Sequence, residues 1–271
     1  MKLTSTAIIA MVALLSSCIG TSKSNKTTEQ VAKPAAKEQV TMAKLYDYKI
    51  VAEYPHSNES YTQGLQYHNG IMWEGTGQEG ESHLQQIDLA TGKRTILASL
   101  NDEEFGEGIT IFHDRIYQLT WTSGNAYVYD LNGKLLETKN YRGEGWGITT
   151  DGRSLYLSDG SSTIRRIDPE TLRTEKSICV TLDGQPLDMI NELEWVDGKI
   201  WANIYCTYAV VEIDPKTGIV LGYIDVPELR ARLIDNPEAE VLNGIAYNAE
   251  SRHFYLTGKD WNRVFELEII K

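Results

Sequence analysis

The chain contains little cysteine: only Cys18, Cys179 and Cys206 occur among its 271 residues. Small secreted domains that cannot build a large core depend on several disulfides. Two cysteines beyond Cys18 are too few for such a framework. A single bridge between Cys179 and Cys206 stays open, but two buried thiols are the favoured interpretation.

Basic residues are scarce relative to acidic ones. Lys and Arg together number 26 and Asp and Glu 38, which gives a formal net charge of -12 and an isoelectric point near 4.9. Proteins that bind nucleic acids concentrate Lys and Arg on one face, where they contact phosphates. We therefore expect no nucleic-acid partner.

Long apolar runs are missing as well, since the run near the N-terminus extends only from Ala7 to Leu15. A transmembrane helix requires about 20 apolar residues. This run follows Lys2 and ends in Leu15-Ser16-Ser17-Cys18, which is typical of a lipoprotein signal peptide. We predict that residues 1–18 are this signal, that Cys18 is lipidated, and that the protein faces the periplasm or exterior in the cell envelope. An ordinary secretory signal with a chance cysteine is the alternative.

The segment after Cys18 is polar. Residues 19–43 are rich in Thr, Ser, Lys, Glu, Gln and Ala and contain no aromatic residue, so they cannot bury a core. We interpret them as a flexible tether, with the lipid as the only membrane contact. Residues 44–271 are sufficient for one large all-β domain, which we expect to be a monomer.

Internal repeats dominate that domain. Segments of the type Ile-Asp-Pro-Lys-Thr-Gly recur about 40 residues apart, with their aspartates at Asp88, Asp130, Asp168 and Asp214. Side-chain acceptors of Asp commonly cap turns, so we assign these aspartates no chemistry. A second series marks five units, at Gly64-Leu65, Gly108-Ile109, Gly147-Ile148, Glu192-Leu193 and Gly244-Ile245.

Each unit alternates β-rich runs with Asp-Gly or Asn-Gly turns, which are strong hairpin signals. No amphipathic helix of useful length separates them, and four-stranded repeats of this length are typical of propeller blades. The fifth unit ends near Ile269 without an outer strand. We predict a five-bladed β-propeller in which Lys49 to Tyr54 supplies that strand and closes the ring.

Several common catalytic motifs are absent or out of place. The string Gly75-Thr-Gly77-Gln-Glu-Gly80 matches a dinucleotide fingerprint but leads into a strand pattern, where the fingerprint requires a helix. The five histidines show no zinc-type pairing, and there is no G-x-S-x-G serine elbow.

Polar and aromatic residues cluster beside the first two strands of each unit, which line the central mouth of a propeller. Eight motifs follow one another there: TQGL, FGEGIT, EGWG, LSDGSS, NELE, WAN, LNGIA and TGK. With these motifs in this order, the sequence resembles the plant and bacterial glutaminyl-peptide cyclotransferases over nearly the whole chain after the tether. The family often has Trp where Tyr205 stands and Pro where Asn262 stands.

The resemblance implies an enzyme that converts N-terminal glutamine of peptides or proteins into pyroglutamate and releases ammonia. It implies a metal-independent acid–base mechanism without a required cofactor, although a structural cation stays open. Glu107 and Lys259 are the expected catalytic residues, since the attacking amine needs a proton acceptor and the oxyanion needs a donor or positive charge. The expected substrate-binding residues are Gln63, Trp121, Trp146, Asn191, Glu192, Trp201, Asn203 and Tyr205.

Two alternatives compete with this interpretation. The propeller is either a non-catalytic binding module of the envelope, since fold alone does not decide function, or a metal-dependent lactonase-like enzyme. The second would need several oxygen ligands around one axial cation, for which Glu107, Asn191, Asn203 and Asn243 are available. Any one of the three tryptophans Trp121, Trp146 and Trp201 also has a plausible place in the core.

Overall fold

A computed structural model describes residues 42–233 and 235–271. The predicted signal peptide, Cys18 and all but the last two residues of the predicted tether lie outside these ranges. Among the described residues, no helix is long and apolar enough to cross a membrane.

The described residues form five four-stranded antiparallel sheets, which are the blades, with short additions. Two strands precede the repeats: β1 (Lys44–Leu45) and β2 (Asp47–Pro55). Blade one contains β3 (Thr62–His68), β4 (Ile71–Thr76), β5 (His83–Asp88) and β6 (Lys93–Ser99). Blade two contains β7 (Gly106–Phe112), β8 (Arg115–Thr120), β9 (Asn125–Asp130) and β10 (Leu135–Asn140). Blade three contains β11 (Ile148–Thr150), β12 (Leu155–Leu157), β13 (Thr163–Ile167) and β14 (Thr174–Cys179).

A small hairpin of β15 (Thr181–Leu182) and β16 (Gln185–Pro186) follows blade three. Blade four contains β17 (Ile190–Val196), β18 (Lys199–Ile204), β19 (Ala209–Ile213) and β20 (Val220–Asp225). A short helix, α1 (Pro227–Ala231), precedes blade five, which contains β21 (Leu242–Asn248), β22 (His253–Gly258) and β23 (Arg263–Ile270). The predicted five-bladed propeller is confirmed.

The ring closes as predicted. Strand β2 pairs antiparallel with β23, with Lys49 opposite Glu268 and Tyr54 opposite Val264. The N-terminal strand therefore completes the last blade and pairs the strand edge that β23 would otherwise expose.

Strand β1 is an addition that the sequence did not indicate. It lies parallel to β20, beyond the outer edge of blade four, and is too short to show a strand pattern. Tyr46 follows this strand, and its hydroxyl donates a 2.7 Å hydrogen bond to Glu212. Gly222 makes room for this ring, because a Cβ there would lie 2.2 Å from a carbon of Tyr46. Residues entering the ring thus contact both blade four and blade five.

The repeated aspartates cap turns, as predicted. Each accepts a backbone N–H from two or three residues further along, at 2.8–3.0 Å. The bonds join Asp88 to Thr91, Asp130 to Asn132, Asp168 to Thr171, and Asp214 to Lys216.

The two cysteines of the propeller are only partly as expected. Cys179 and Cys206 are free thiols, but both are exposed rather than buried. Cys179 ends an outer strand, and Cys206 lies in the turn after β18, so neither side chain faces the apolar space between blades.

Glycines let the inner strands approach one another closely. A Cβ on Gly64 would lie 2.3 Å from the backbone nitrogen of Ile109, and one on Gly147 would lie 2.2 Å from the backbone oxygen of Asn191. Real Cβ atoms cannot occupy such positions. The innermost strands of successive blades therefore pack backbone to backbone, and the residue before each glycine is held at the mouth of the ring.

Candidate active site

In four of the blades, a β-bulge in the first strand changes the direction of one side chain. The pairing of first and second strands shifts register between Thr62 and Gly64, Gly106 and Ile109, Ile190 and Leu193, and Leu242 and Ile245. Bulges beside active sites commonly re-aim a side chain or end a pairing. The bulges contain Gln63, Glu107, Asn191 and Asn243, and Trp146 holds the equivalent sequence position in blade three.

Four of these five positions, all except Asn243, line a cavity of about 270 Å³. Every blade contributes to its wall, which consists of Tyr61, Gln63, Phe105, Glu107, Trp121, Trp146, Asn191, Tyr205 and Lys259. Both expected catalytic residues and five of the expected substrate-binding residues therefore meet in one pocket.

Glu107 is a buried carboxylate without a protein partner. It is 4% exposed, and no side chain or backbone group of the described residues forms a hydrogen bond with its carboxylate. Burial raises the pKa of Glu107 well above the usual value, the positive charge of Lys259 opposes that rise, and Glu144 adds to it. A carboxyl group with a raised pKa and unused oxygens is a stronger base than an ordinary carboxylate and can exchange protons with a bound molecule.

Lys259 holds its ammonium between two tyrosine rings. Its Nζ lies 4.5 Å from the ring centre of Tyr61 and 5.0 Å from that of Tyr205. Such cation–π contacts position a cation without neutralising it. Burial lowers the pKa of Lys259, while Glu107 raises it. Within the described part of the chain, this ammonium forms no ion pair closer than 4.0 Å, so its charge is available to the pocket.

Two amide side chains supply polar atoms to the same cavity. Asn191 is buried, and its Oδ1 has no hydrogen-bond partner among the described residues. The Oε1 of Gln63 accepts a 3.2 Å hydrogen bond from Asn243, which leaves the Gln63 amino group to donate elsewhere. Buried polar atoms without a partner are uncommon, and here they provide an acceptor and a donor for a ligand.

Aromatic rings form the rest of the wall. Phe105 lies edge-on to Tyr61 and Trp121, with ring centres 6.0 and 5.9 Å apart. Trp146 and Tyr205 pack edge-on at 5.7 Å on the other side. The pocket thus combines one carboxylate, one ammonium and two amides with an apolar wall that limits the access of water.

The sequence and the propeller fold are similar to those of known proteins. The family model for glutamine cyclotransferase matches residues 18–269. The chain belongs to the glutamine cyclotransferase family. The glutaminyl-peptide cyclotransferase of Arabidopsis thaliana is 35% identical over 231 residues, which are 83% of this chain and 72% of that protein. The crystal structure of Myxococcus xanthus glutaminyl cyclase has a TM-score of 0.77 and 36% identity, covering 84% of this chain and 98% of that one.

The family match confirms the resemblance recognised from the motifs and the enzyme class that it implied. It decides against the binding-module and lactonase-like alternatives. Among residues 42–233 and 235–271, no group of three or more His, Cys, Asp or Glu side chains is arranged to hold a metal ion.

Three of the expected substrate-binding residues lie outside this pocket. Trp201 is 0% exposed and packs in the core between blades four and five, 4.7 Å from the ring centre of Phe254. The Oδ1 of Asn203 accepts a 2.9 Å hydrogen bond from the backbone of Gly244. For both, the motif WAN predicted the correct strand but not the direction of the side chains.

Glu192 is the third, and it connects three blades. It replaces the glycine that the other four repeats have at this position. Its carboxylate accepts the backbone N–H of Leu65 at 3.2 Å and of Ile245 at 2.9 Å. Burial and then Glu194 raise the pKa of Glu192 well above its usual value, and the two N–H groups oppose that rise. The contacts indicate a structural residue on the axis of the ring.

We expect Glu192→Ala to lower the free energy of unfolding by about 2–4 kcal/mol, because it leaves two buried N–H groups unpaired and each costs about 1–3 kcal/mol. Denaturant unfolding measures this loss, and Glu250→Ala, at an exposed turn, is the matched control. Unchanged stability together with a raised KM would instead place Glu192 in substrate binding.

Glu74, a buried carboxylate on the second strand of blade one, is also committed to the fold. It accepts hydrogen bonds from Thr62 and Gln85, both at 2.6 Å, and lies 3.1 Å from His56 Nε2. Burial alone would raise the pKa of Glu74, but His56 and these hydrogen bonds lower it. Its oxygens are therefore fully used away from the pocket.

Tyr61 and Phe105 line the pocket although neither was named as a site residue. Tyr61 directly precedes the motif TQGL and Phe105 begins the motif FGEGIT, two positions before Gln63 and Glu107 respectively. Each lies one residue before the first strand of its blade and next to a bulge, so strand alternation does not predict its direction. Their closeness to Gln63 and Glu107 in the sequence is the signal that could have identified both rings.

Proposed function

We propose that the pocket binds the N-terminal glutamine of peptides and proteins and closes it into pyroglutamate with release of ammonia. The observation that carries this proposal is the unpaired, buried Glu107 in one cavity with the buried Lys259. The name of the Arabidopsis relative, a glutaminyl-peptide cyclotransferase, gives the same substrate class.

The first step is proton removal. The ionised carboxylate of Glu107 binds the substrate α-ammonium and accepts one proton from it, which frees the nitrogen lone pair. A substrate α-amine has a pKa of about 7.7–8.0. Because burial raises the pKa of Glu107, its carboxylate is a stronger base than an ordinary carboxylate and accepts this proton more readily, which favours general acid–base catalysis.

Ring closure follows. The amine nitrogen attacks the γ-carboxamide carbon, a C–N bond forms, and the carbonyl π electrons move to the oxygen. The Lys259 ammonium and the Gln63 amino group stabilise that oxyanion. Glu107 then gives its proton to the departing nitrogen and takes the surplus proton from the ring nitrogen, so that the old C–N bond breaks and the carbonyl reforms in a neutral lactam. That last proton passes to the released ammonia, which leaves as ammonium, and Glu107 is ionised again. The aromatic wall holds the glutamine chain bent, so that nucleophile and carbon meet as an intramolecular pair.

Ammonia release from a Gln-initiated dipeptide tests this proposal. The purified protein should release ammonia from that peptide but not from its N-acetylated form, in which the amide nitrogen is no nucleophile. We also propose that the reaction needs no metal, so release should persist with a chelator. Loss of release with the chelator would overturn the metal-independent mechanism, and no release in either condition would overturn the cyclotransferase assignment.

We further propose that the enzyme is an envelope lipoprotein anchored through Cys18. The apolar run and the Leu-Ser-Ser-Cys ending support this. Cys18→Ser should move active enzyme from the membrane fraction to the soluble envelope fraction in cell fractionation. Activity that stays with the membrane in this variant would contradict anchoring by a lipid on Cys18.

A further inference from the structure

Glu144 connects the two tryptophans of the pocket wall. One oxygen of its carboxylate, Oε2, accepts hydrogen bonds from the indole nitrogens of Trp121 at 2.8 Å and Trp146 at 2.9 Å. Trp121 follows the second strand of blade two, and Trp146 precedes the first strand of blade three. A single oxygen atom thus ties side chains of neighbouring blades together at the mouth of the cavity.

Trp121 needs such a partner. It is 43% exposed, and its aromatic neighbour is Phe105, at 5.9 Å. A large side chain at the surface has many accessible rotamers and loses entropy when it is fixed. A hydrogen bond from its indole to an ionised carboxylate is stronger than one between neutral groups, so Glu144 determines where this ring stands.

Glu144 is itself held in place. The guanidinium of Arg165 donates hydrogen bonds to the backbone oxygens of Arg142 and of Glu144, the latter at 2.8 Å. The backbone nitrogen of Gly145 donates to the Trp121 carbonyl at 3.1 Å. Although Glu144 is exposed, its backbone is fixed to both blades, and its side chain is not a free solvated charge.

The charge of Glu144 also acts on Glu107. It adds to the burial that raises the pKa of Glu107, against the opposing charge of Lys259. The other titratable groups that interact with Glu107 are the hydroxyls of Tyr141 and Tyr205. Removing the negative charge of Glu144 therefore lowers the pKa of Glu107.

We propose that Glu144 is a positioning residue of this site, whose carboxylate fixes Trp121 and Trp146 as the two sides of the slot that receives the glutamine side chain. This inference rests on the function proposed above. Without the carboxylate of Glu144, both indole N–H groups lose this hydrogen-bond acceptor. A glutamine amide at position 144 would still offer one acceptor oxygen.

Two substitutions separate the hydrogen bonds from the charge. Glu144→Ala removes both, and we expect kcat/KM for a Gln-initiated peptide to fall by about 10- to 100-fold. Most of the loss should appear in KM, because the slot contacts the glutamine side chain in the ground state as well as in the transition state. Glu144→Gln keeps an acceptor oxygen, so kcat/KM should recover most of that loss while the acidic limb of its pH profile moves to lower pH. Glu103→Gln, at an exposed acidic residue, controls for the change in net charge.

Near-ultraviolet circular dichroism and tryptophan emission of the substrate-free proteins provide a readout independent of activity. Glu144→Ala should change both, and Glu144→Gln should resemble wild type. If Glu144→Ala keeps the wild-type spectra and KM, Glu144 positions nothing and the inference is wrong. Should that variant fold poorly, Glu144→Met, which keeps most of the side-chain volume but offers no acceptor oxygen, takes its place, and wild-type spectra and KM in Glu144→Met would overturn the inference. A wild-type enzyme that releases no ammonia would refute the proposed function, while the spectra still test the tryptophan contacts.

Discussion

Glu107→Gln should lower kcat by about 10²- to 10⁴-fold, the usual contribution of a positioned general acid or base. The substitution keeps the shape of the side chain and its capacity for hydrogen bonds but removes the proton acceptor. Steady-state ammonia release measures the effect. Glu194→Gln is the matched control, because burial also raises the pKa of Glu194, to about 8, yet its carboxylate contacts the backbone of Tyr247 and lies outside the pocket.

The pH profile adds a second readout for the same substitution. In the wild type, kcat/KM should rise with pH as Glu107 loses its proton, at a pH above that of an ordinary carboxyl group because its pKa is raised by burial. The variant should lack that limb. Activity of Glu107→Gln within about threefold of wild type would be too small a loss for an acid–base residue, and Glu107 would then be structural.

The stability of Glu107→Gln should change in the opposite direction to its activity. A carboxyl group whose pKa is higher in the folded than in the unfolded protein stabilises the fold below the unfolded pKa, and that contribution is lost as pH rises through the folded pKa. At neutral pH the ionised Glu107 is therefore a cost to folding that glutamine avoids. The variant should have a Tm equal to or above that of wild type at neutral pH, with the difference disappearing in acid.

Lys259→Met should lower kcat by about 10²- to 10³-fold, as the loss of one oxyanion-stabilising group commonly does. Methionine fills much of the space between Tyr61 and Tyr205 but carries no charge. The acidic limb should persist and move to higher pH, because the charge of Lys259 opposes the raised pKa of Glu107. Lys93→Met, at an exposed site, is the control.

If the acidic limb of the pH profile disappears in Lys259→Met, the group that titrates there is the lysine and not Glu107. If that limb does not move and kcat is unchanged, the charges of Lys259 and Glu107 do not interact in the working enzyme.

The architecture was predictable because it repeats. Five similar units with hairpin turns indicate a propeller, and a final unit without its outer strand indicates closure by an N-terminal segment. The strand β1 and the contact of Tyr46 with Glu212 were not predictable, because two residues carry no periodicity and the contact depends on space left by Gly222.

The site was predictable where a motif and a bulge coincide. Gln63, Glu107 and Asn191 lie at equivalent positions of the repeat, in the bulge of the first strand, and all three line the pocket. The repeat does not predict the next position of blade four, where Glu192 replaces a glycine and extends its side chain toward blades one and five. A motif identifies the strand, whereas the direction of a side chain next to a bulge depends on the local register.

The most direct test of the central claim is mass spectrometry of a Gln-initiated peptide incubated with wild-type enzyme and, in parallel, with Glu107→Gln. We expect the wild type to convert the peptide into a product lighter by one ammonia that no longer reacts with an amine reagent, while the variant leaves nearly all of it unchanged over the same time. An unmodified peptide with the wild type, or equal conversion by both proteins, would contradict cyclisation of N-terminal glutamine through Glu107.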